Sequence, residues 1–376
     1  MCDAARRDAA AGGAPVSIER AVELQGRAWE LQAEGRLEEA RRACEESLRL
    51  VEESEGTNSP DAANLLNDLT EIETEQQNFV AAIALVERAR AITNTLDERF
   101  TGPDAARVRL KTLEQLGTLR RTLGDYAAAE VDLKLAVKIA VAEFGEHSVE
   151  AVMAQNDLGV LYKYWGRFEE GLQLFHLALE STPSECLARA TVCHNIGGIL
   201  HAQGEFAAAE EPARTAWDLS RKLLGEHDRR TMLDAAAYAA VLEGLGRYTE
   251  SEAIYRRSLE FFEQTYGPQH YEIAATLHGL ASVLAARGAC EEAETRYRKA
   301  LAIKEKLVGA DSPDAALTRQ NLGSLLLRIG RVAEAVSFLE AAVAVLSQRL
   351  CPGHPCTALA RENLRKANAC GGRVRL

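Results

Sequence analysis

The sequence predicts an all-α protein, an α-solenoid of about eight antiparallel helix pairs with a C-terminal capping helix. Three observations predict this class. Ala and Leu dominate, while aromatic residues make up 6% of the chain and only 9 of 376 residues are Pro, which favours helices over strands. A Gly-centred phrase recurs at a nearly constant interval. The apolar residues before each copy of this phrase have the spacing of an amphipathic helix.

The composition of the chain excludes several classes of protein. Its net charge is -12 and no run of five basic residues occurs, so a nucleic-acid partner is not expected. No apolar stretch is longer than that of residues 235–242, which is too short to span a membrane, and residues 1–15 lack the apolar core of a secretory signal. The 8 cysteines have no paired spacing. We therefore expect free thiols in a reducing compartment and a cytoplasmic protein without a membrane partner.

The recurring phrase is Gly, a polar residue and an aromatic residue. Successive copies are 42, 47, 42, 38, 42, 42 and 42 residues apart. Such a period predicts stacked structural repeats. The full phrase begins at Gly124, Gly166, Gly204 and Gly246, and weaker copies begin at Gly35, Gln77, Gly288 and Gly330. We call these eight positions anchors.

Each repeat is predicted to contain helix A, a turn at the anchor, and helix B. Before the anchor, apolar residues follow an i, i+3, i+4, i+7 stripe, as at residues 322, 325, 326 and 329. Small residues five and twelve positions after the anchor, such as Ala293 and Ala300, share one face of helix B. We expect the two helices to cross at these small residues. Since a single pair cannot bury both apolar faces, the pairs must stack.

This pattern predicts one solenoid over residues 16–370, between a disordered tail at 1–15 and a short tail at 371–376. The last unit has a helix A but no helix B. Residues 356–369 are therefore predicted to form the capping helix, whose charged side chains face water.

A small residue seven positions before the anchor, as at Gly117, Gly159, Gly197 and Gly323, completes a pattern that resembles the tetratricopeptide repeat. The usual unit of that family is about 34 residues. The interval of 42 is more similar to the longer variety found in kinesin light chains and many bacterial repeat proteins. The resemblance covers roughly residues 17–370 and implies a right-handed superhelix whose concave face binds extended or helical peptides. Repeat 2 departs from it, with Gln77 in place of the turn Gly, and repeat 4 is shortened after Leu179.

Positions ten, six and three before the anchor lie on one face of helix A, away from the core stripe. They are rich in small and amide residues, which leave room for a ligand. The family also implies an Asn ladder nine positions before the turn, and an amide can hold a peptide backbone because it donates and accepts. Alternatively, these amides bond between adjacent helices and order the stack. The predicted peptide-binding residues are Lys111, Gln115, Arg121, Asn156, Lys163, His194, Asn195, His201, His278, Gln320 and Asn321.

The charges of this predicted groove suggest what it binds. Lys111 with Gln115 resembles the start of the carboxylate clamp of some family members, but Asp157 stands where the next Asn is expected and would repel an anion. Arg121 and Lys163 make the middle of the groove basic. We expect a partner segment with acidic or polar residues there and apolar residues toward repeats 6 and 7.

The sequence carries no phosphate loop, dinucleotide fingerprint or zinc-protease helix. Cys351, His354 and Cys356 lie close together, but their spacing matches no usual zinc pattern. We therefore expect no cofactor, no metal and no enzyme activity. The predicted function is a non-catalytic scaffold or adaptor that binds a protein or peptide segment. Its alternatives are an assembly protein that self-associates through its edges and a peptide-sensing regulator, and a monomer is favoured over an oligomer.

Overall fold

The computed structural model describes residues 14–95 and 101–373, and its regular elements over these residues are all α-helices, as predicted. Of the predicted tail at residues 1–15, residues 1–13 lie outside the described residues. Residues 374–376 of the predicted C-terminal tail lie outside them as well. The helices are α1 (Ala14–Ala33), α2 (Leu37–Glu55), α3 (Pro60–Glu75), α4 (Phe79–Thr95), α5 (Pro103–Thr122), α6 (Tyr126–Phe144), α7 (Val149–Trp165), α8 (Phe168–Glu180), α9 (Leu187–Gln203), α10 (Phe206–Leu224), α11 (Arg229–Gly244), α12 (Tyr248–Tyr266), α13 (Tyr271–Ala286), α14 (Cys290–Val308), α15 (Pro313–Arg328), α16 (Val332–Arg349) and α17 (Pro355–Arg373).

The odd-numbered helices are the A helices and the even-numbered helices are the B helices. A helices pack on the B helices that follow them, as in α1 with α2, α9 with α10 and α15 with α16. The A helices of successive repeats are also in contact, for example α7 with α9 and α13 with α15. Helix α17 packs on α15 and α16 without a B helix of its own within the described residues. This stacking of pairs is the predicted solenoid arrangement.

The turns and helix starts follow from local chemistry. All eight anchors have a positive φ, from 63° at Gln77 to 92° at Gly166, which Gly adopts without the steric cost that a Cβ brings. The hydroxyls of Ser59, Ser148 and Ser312 accept hydrogen bonds from main-chain N–H groups three residues later. These bonds satisfy otherwise unpaired N–H groups and set the starts of α3, α7 and α15.

The small residues on the A and B helices lie where the helices cross. Ala129 and Ala300 are 0% exposed. A Cβ added at Gly159 would come within 2.6 Å of the Phe175 ring, and one at Gly323 within 2.8 Å of Leu339. The pairs are therefore packed too closely to accept larger side chains, which is what the recurrence of small residues predicts.

The chain divides into two compact units, residues 1–119 and 120–376. In residues 14–119 the core is built from buried apolar residues of α1 to α4, including Leu66 and Ile72. In residues 120–373 successive clusters follow the repeats, centred on Phe175, Leu242 and Leu277. That one solenoid runs continuously over residues 16–370 stays a prediction.

The first and last helices of residues 120–373 touch each other. Tyr126 of α6 and Leu161 of α7 share a buried cluster with Leu346 of α16 and Ala360 of α17. The helices that begin and end this unit therefore have a common core, and the stack closes upon itself.

Two contacts make this closure, and we call them the closing contacts. Gly124 faces Pro313, whose Cδ would lie 2.7 Å from an added Cβ, and Gly166 faces His354, whose Cδ2 would lie 2.1 Å away. The main-chain N–H of Cys351 donates to the main-chain oxygen of Trp165 at 3.2 Å. Both contacts join the turn of one repeat to the linker that precedes the A helix five repeats later. They were not predicted from the sequence.

Ala300→Leu should lower the free energy of unfolding by about 1 to 3 kcal/mol, because the added atoms overpack a helix crossing. Ala302→Leu on the same helix is the control, since Ala302 is exposed and a surface change there should stay within about 0.5 kcal/mol. Urea unfolding of both variants measures the difference. Equal stability of the two variants would contradict the placement of Ala300 at a crossing.

Gln77→Gly should raise the free energy of unfolding by about 1 kcal/mol, because Gln77 adopts a φ of 63° that costs a residue with a Cβ roughly this much. The matched opposite change is Gly246→Gln, at a φ of 77° with open space around its α-carbon, which should lower stability by a similar amount. Urea midpoints that move in the same direction in both variants would refute this explanation.

Candidate functional site

The A helices of residues 120–373 form an inner surface, which we define by the predicted groove positions of α7, α9, α11, α13 and α15 together with Arg121 at the end of α5. Most of its side chains are partly buried, while Gln320 is buried. Several are small, among them Val160, Gly198, Ala236 and Ala240. The surface therefore has room between its larger polar residues.

Two cations of this surface share one aromatic ring. The guanidinium of Arg121 lies 4.8 Å from the centre of the Tyr164 ring, and the Lys163 Nζ lies 5.2 Å from it. Tyr164 is 45% exposed. The π face of the ring attracts both charges. Neither cation forms an ion pair with a carboxylate of the described residues.

A chain of hydrogen bonds starts from Lys163. Its Nζ donates to Asn195 Oδ1 at 3.2 Å, and Asn195 Nδ2 donates to Asn156 Oδ1 at 2.9 Å. Asn156 Nδ2 in turn donates to Asp157 Oδ1 at 3.3 Å. The lysine lies over Gly198, where an added Cβ would be 3.2 Å from its Nζ. Sequence reasoning placed these amides in the groove, and the structure brings Asn156, Lys163 and Asn195 together.

The enclosed position of this cluster shifts two pKa values. Burial, and then the positive charge of Arg121, lower the pKa of Lys163 to about 7. Burial raises the pKa of Asp157 to about 6, against the lowering effect of its hydrogen bond from Asn156. The net charge of the cluster therefore changes close to neutral pH.

The two predicted histidines of α9 have partners on α10 and α11. His194 Nδ1 is 2.7 Å from Asp234 Oδ1, and the Ser220 hydroxyl donates to Asp234 Oδ2 at 2.5 Å. The ring of His201 packs edge-on against Phe206 at 5.4 Å. Burial is the main cause that lowers the pKa of His201. Both histidines thus have protein partners on the inner surface.

A third group lies on α13 and α15. His278 Nδ1 is 3.0 Å from the Thr318 hydroxyl, and its Nε2 is 3.0 Å from Asn321 Nδ2. Gln320 Nε2 donates to Asn321 Oδ1 at 3.2 Å. Asn195 and Asn321 therefore each bond to the preceding A helix. Amides of the ladder order the stack in this way, and their contact with a ligand stays a prediction.

Lys111 and Gln115 belong to the unit of residues 14–119 and are engaged within it. Lys111 Nζ lies 2.7 Å from Asp68 Oδ1, while Gln25 and Trp29 donate to Asp68 Oδ2 at 2.7 and 3.2 Å. Gln115 Nε2 donates to the main-chain oxygen of Asn67 at 2.9 Å. The Lys111 charge is compensated inside this unit, whereas the Lys163 charge on the inner surface is not.

Sequence reasoning missed Tyr164, Tyr271 and Asp314. Tyr164 stands two positions before the anchor, outside the three positions used to define the groove. The Tyr271 hydroxyl donates to Asp314 Oδ2 at 2.6 Å, and Lys304 Nζ lies 2.9 Å from Asp314 Oδ1. An aromatic residue beside two predicted cations was the available signal for Tyr164.

The linker with Cys351, His354 and Cys356 has a structural role. His354 Nδ1 accepts a hydrogen bond from the Cys356 main-chain N–H at 3.1 Å, and its ring lies 5.7 Å from the ring of Phe168. Over the described ranges, no three His, Cys, Asp or Glu side chains are grouped to hold a metal ion. No helix within residues 14–95 and 101–373 has the length and apolar character needed to cross a membrane.

Two family models, both described as tetratricopeptide repeat, match the chain. One matches residues 31–95, 108–184, 231–306 and 272–348, and the other matches residues 189–229. A clustered mitochondria protein homolog of Ajellomyces capsulatus is 23% identical over 190 residues, which are 50% of this chain and 15% of that relative. Its counterpart in Neosartorya fischeri is 24% identical over 190 residues, or 14% of its length. The chain thus spans a small part of these relatives.

Two solved structures are similar to the chain. A Rap protein crystallised in complex with competence and sporulation factor has a TM-score of 0.56 and 15% identity, over 93% of this chain and 98% of that one. A putative kinesin light chain of Podosopora anserina with nearly identical TPR-like repeats has a TM-score of 0.41 and 20% identity, over 53% of this chain and 96% of that one.

Acid should destabilise the protein in part through His278. Burial, and then the charge of Lys304, lower the pKa of His278 to about 3, while an unfolded His titrates near about 6.5. Between these values the unfolded chain binds one more proton, so the free energy of unfolding falls as pH decreases below about 6.5. His278→Gln should therefore reduce the slope of the free energy of unfolding against pH, by an amount equivalent to the uptake of up to about one proton. Urea unfolding from pH 7 to pH 4.5 measures this slope. His147→Gln, at an exposed position, is the control, and identical slopes in wild type and His278→Gln would refute the expectation.

Proposed function

Because the chain belongs to the tetratricopeptide repeat family, we propose that it is a non-catalytic scaffold or adaptor that holds a peptide segment of a partner against the inner surface of residues 120–373. Stacked helix pairs create extended concave binding surfaces. The observation that supports this surface most is the pair of cations at Arg121 and Lys163, which lack a carboxylate partner among the described residues.

Room for a ligand is the second support. Val160, Gly198, Ala236 and Ala240 follow one another along adjacent A helices and remain partly accessible. A solvated helix face normally carries long charged side chains. Small residues at these positions leave space that a peptide main chain and its side chains can fill.

The geometry favours binding over catalysis. His194, Asp234 and Ser220 come nearest to a catalytic constellation, but the Ser220 hydroxyl donates to Asp234 rather than to the histidine. Ser220 is also 0% exposed. A nucleophilic Ser needs its hydrogen bond to the base and access to substrate, and Ser220 has neither.

The two alternatives to a scaffold make different use of the same fold. An assembly protein would self-associate through its edges, and a peptide-sensing regulator would bind a short free peptide. The Rap protein of similar fold was crystallised with competence and sporulation factor, which favours the second alternative over the first. A cytoplasmic location is part of the proposal, because the seven cysteines within the described residues are free thiols, as is usual in reducing compartments.

Peptides selected from a random displayed library against the wild-type chain provide the test. Ala240→Trp fills the inner surface and should weaken the selected peptides by about tenfold or more, roughly 1.4 kcal/mol. Ala207→Trp, at an exposed position of the B helix α10, is the control and should leave affinity unchanged. Fluorescence anisotropy measures both.

Equal affinity of both variants would place binding elsewhere and contradict the proposal. Failure to select any peptide, together with light scattering that shows a concentration-dependent oligomer, would favour the assembly alternative instead.

A further inference from the structure

We propose that Arg121, Tyr164 and Lys163 form a site for one anionic group, a carboxylate or a phosphate, of the peptide that the inner surface binds. This inference rests on the proposed function, since it names the chemistry of the ligand at that surface. It also adds Tyr164, which positions both cations and lies outside the groove positions predicted from the sequence.

The inference rests on the lack of an ion pair between Arg121 or Lys163 and a carboxylate of the described residues. Several partly or fully buried cations of the described residues have a carboxylate partner: Lys304 lies 2.9 Å from Asp314, Arg319 lies 2.6 Å from Glu305, and Arg120 lies 2.5 Å from Asp132. Arg189 and Arg230 are bonded instead to the main-chain oxygen of Thr182 and the hydroxyl of Thr191. Arg121 and Lys163 instead lie near the same ring with no such partner in the described residues. Two like charges in an enclosed place repel each other, so a bound anion would relieve a real electrostatic cost.

The two side chains suit an anion in complementary ways. A guanidinium presents a planar set of N–H donors that matches a carboxylate or phosphate, whereas an ammonium acts as a compact point charge. Arg121 comes from the end of α5 and Lys163 from α7. Because Lys163 lies over the bare α-carbon of Gly198 and is held by Asn195, its charge is fixed in place before a ligand arrives.

An apolar stretch of α7 extends the site. Met153 is 55% exposed. It lies on the same side of the helix as Val160 and Tyr164, because side chains seven or eleven residues apart in an α-helix point in directions that differ by only about 20°. Eleven residues of α-helix span about 16 Å, which an extended peptide covers with about five residues. The preferred ligand therefore has an acidic or phosphorylated residue and an apolar residue about five positions apart.

Binding of the anion should be coupled to a proton. The groups around Lys163 are Arg121 from α5, Asp157 and Tyr164 from α7, and Asn195 and His201 from α9. Burial and Arg121 lower the pKa of Lys163 to about 7, so the free site is partly neutral at pH 7. A bound anion favours the ammonium form. Affinity should therefore fall as the pH rises from 6 to 8.

The experiment uses a peptide selected against the full chain, synthesised in three forms: with Glu, with Gln and with phosphoserine at the acidic position. The wild-type protein should bind the Glu or the phosphoserine form at least about tenfold more tightly than the Gln form, and the stronger of the two identifies the anion. Lys163→Gln and Arg121→Gln should each abolish this preference. Lys138→Gln, at an exposed position of α6, is the control for the loss of one positive charge and should keep it.

Lys163→Arg separates the anion site from a merely structural role of Lys163. Arginine stays charged at all pH values used, so this variant should keep the anion preference and lose the fall in affinity between pH 6 and pH 8. Melting curves establish that each variant is folded. Equal binding of all three peptide forms by the wild-type chain would overturn the inference but leave peptide binding intact. Retention of the preference in a folded Lys163→Gln variant would overturn it as well.

Discussion

The closing contacts are the constraint on which the account of residues 120–373 depends. Gly124 meets Pro313 and Gly166 meets His354, and no side chain larger than a hydrogen would fit at either glycine. The Cys351 N–H adds a hydrogen bond to the Trp165 oxygen. Both contacts join repeats that are five apart. They hold the start of α6 against the first residue of α15 and the end of α7 against the linker before α17. The A-helix surface lies between these two contacts.

Enclosure explains the electrostatics of that surface. Lys163 lies among protein groups from α5, α7 and α9, which remove water from the ammonium and lower its pKa. Burial raises the pKa of Asp157, because loss of water disfavours its charged form as well. In residues 14–119 an aspartate at the equivalent place, Asp68, meets Lys111 from the next A helix. The residue that corresponds to Lys111 in the helix after Asp157 is Thr191, so Asp157 has no such ion pair, and the charge of Arg121 offsets the effect of burial on its pKa only in part.

Sequence reasoning predicted the helix pairs because their causes are local. Apolar stripes, small residues at the crossings and turn residues such as Gly246 act within one repeat or between neighbours, and they recur with the period. The closing contacts are different, since a period of 42 residues restricts only how adjacent pairs stack. Small differences in how each helix pair stacks on the next add up over five repeats, and their sum decides whether repeats five apart meet. No residue pattern in the sequence gives this sum.

The candidate site was predicted in part. Arg121, Lys163 and Asn195 were found from their spacing before the anchor, and the structure brings Lys163 and Asn195 into contact and Arg121 to the same ring. Tyr164 was missed because its position is not one of the three that face away from the core stripe. The Asp68 partner of Lys111 was also missed, because their contact depends on the register between two A helices.

Hydrogen exchange of the Cys351 main-chain amide, followed by NMR, tests the closure most directly. Cys351 lies in a linker between α16 and α17, where amides ordinarily exchange quickly, yet its N–H is bonded to the Trp165 oxygen. We expect slow exchange, comparable to that of amides inside the flanking helices. Rapid exchange at Cys351 in the folded protein would mean that repeats 4 and 9 are not in stable contact, and would contradict the enclosed inner surface.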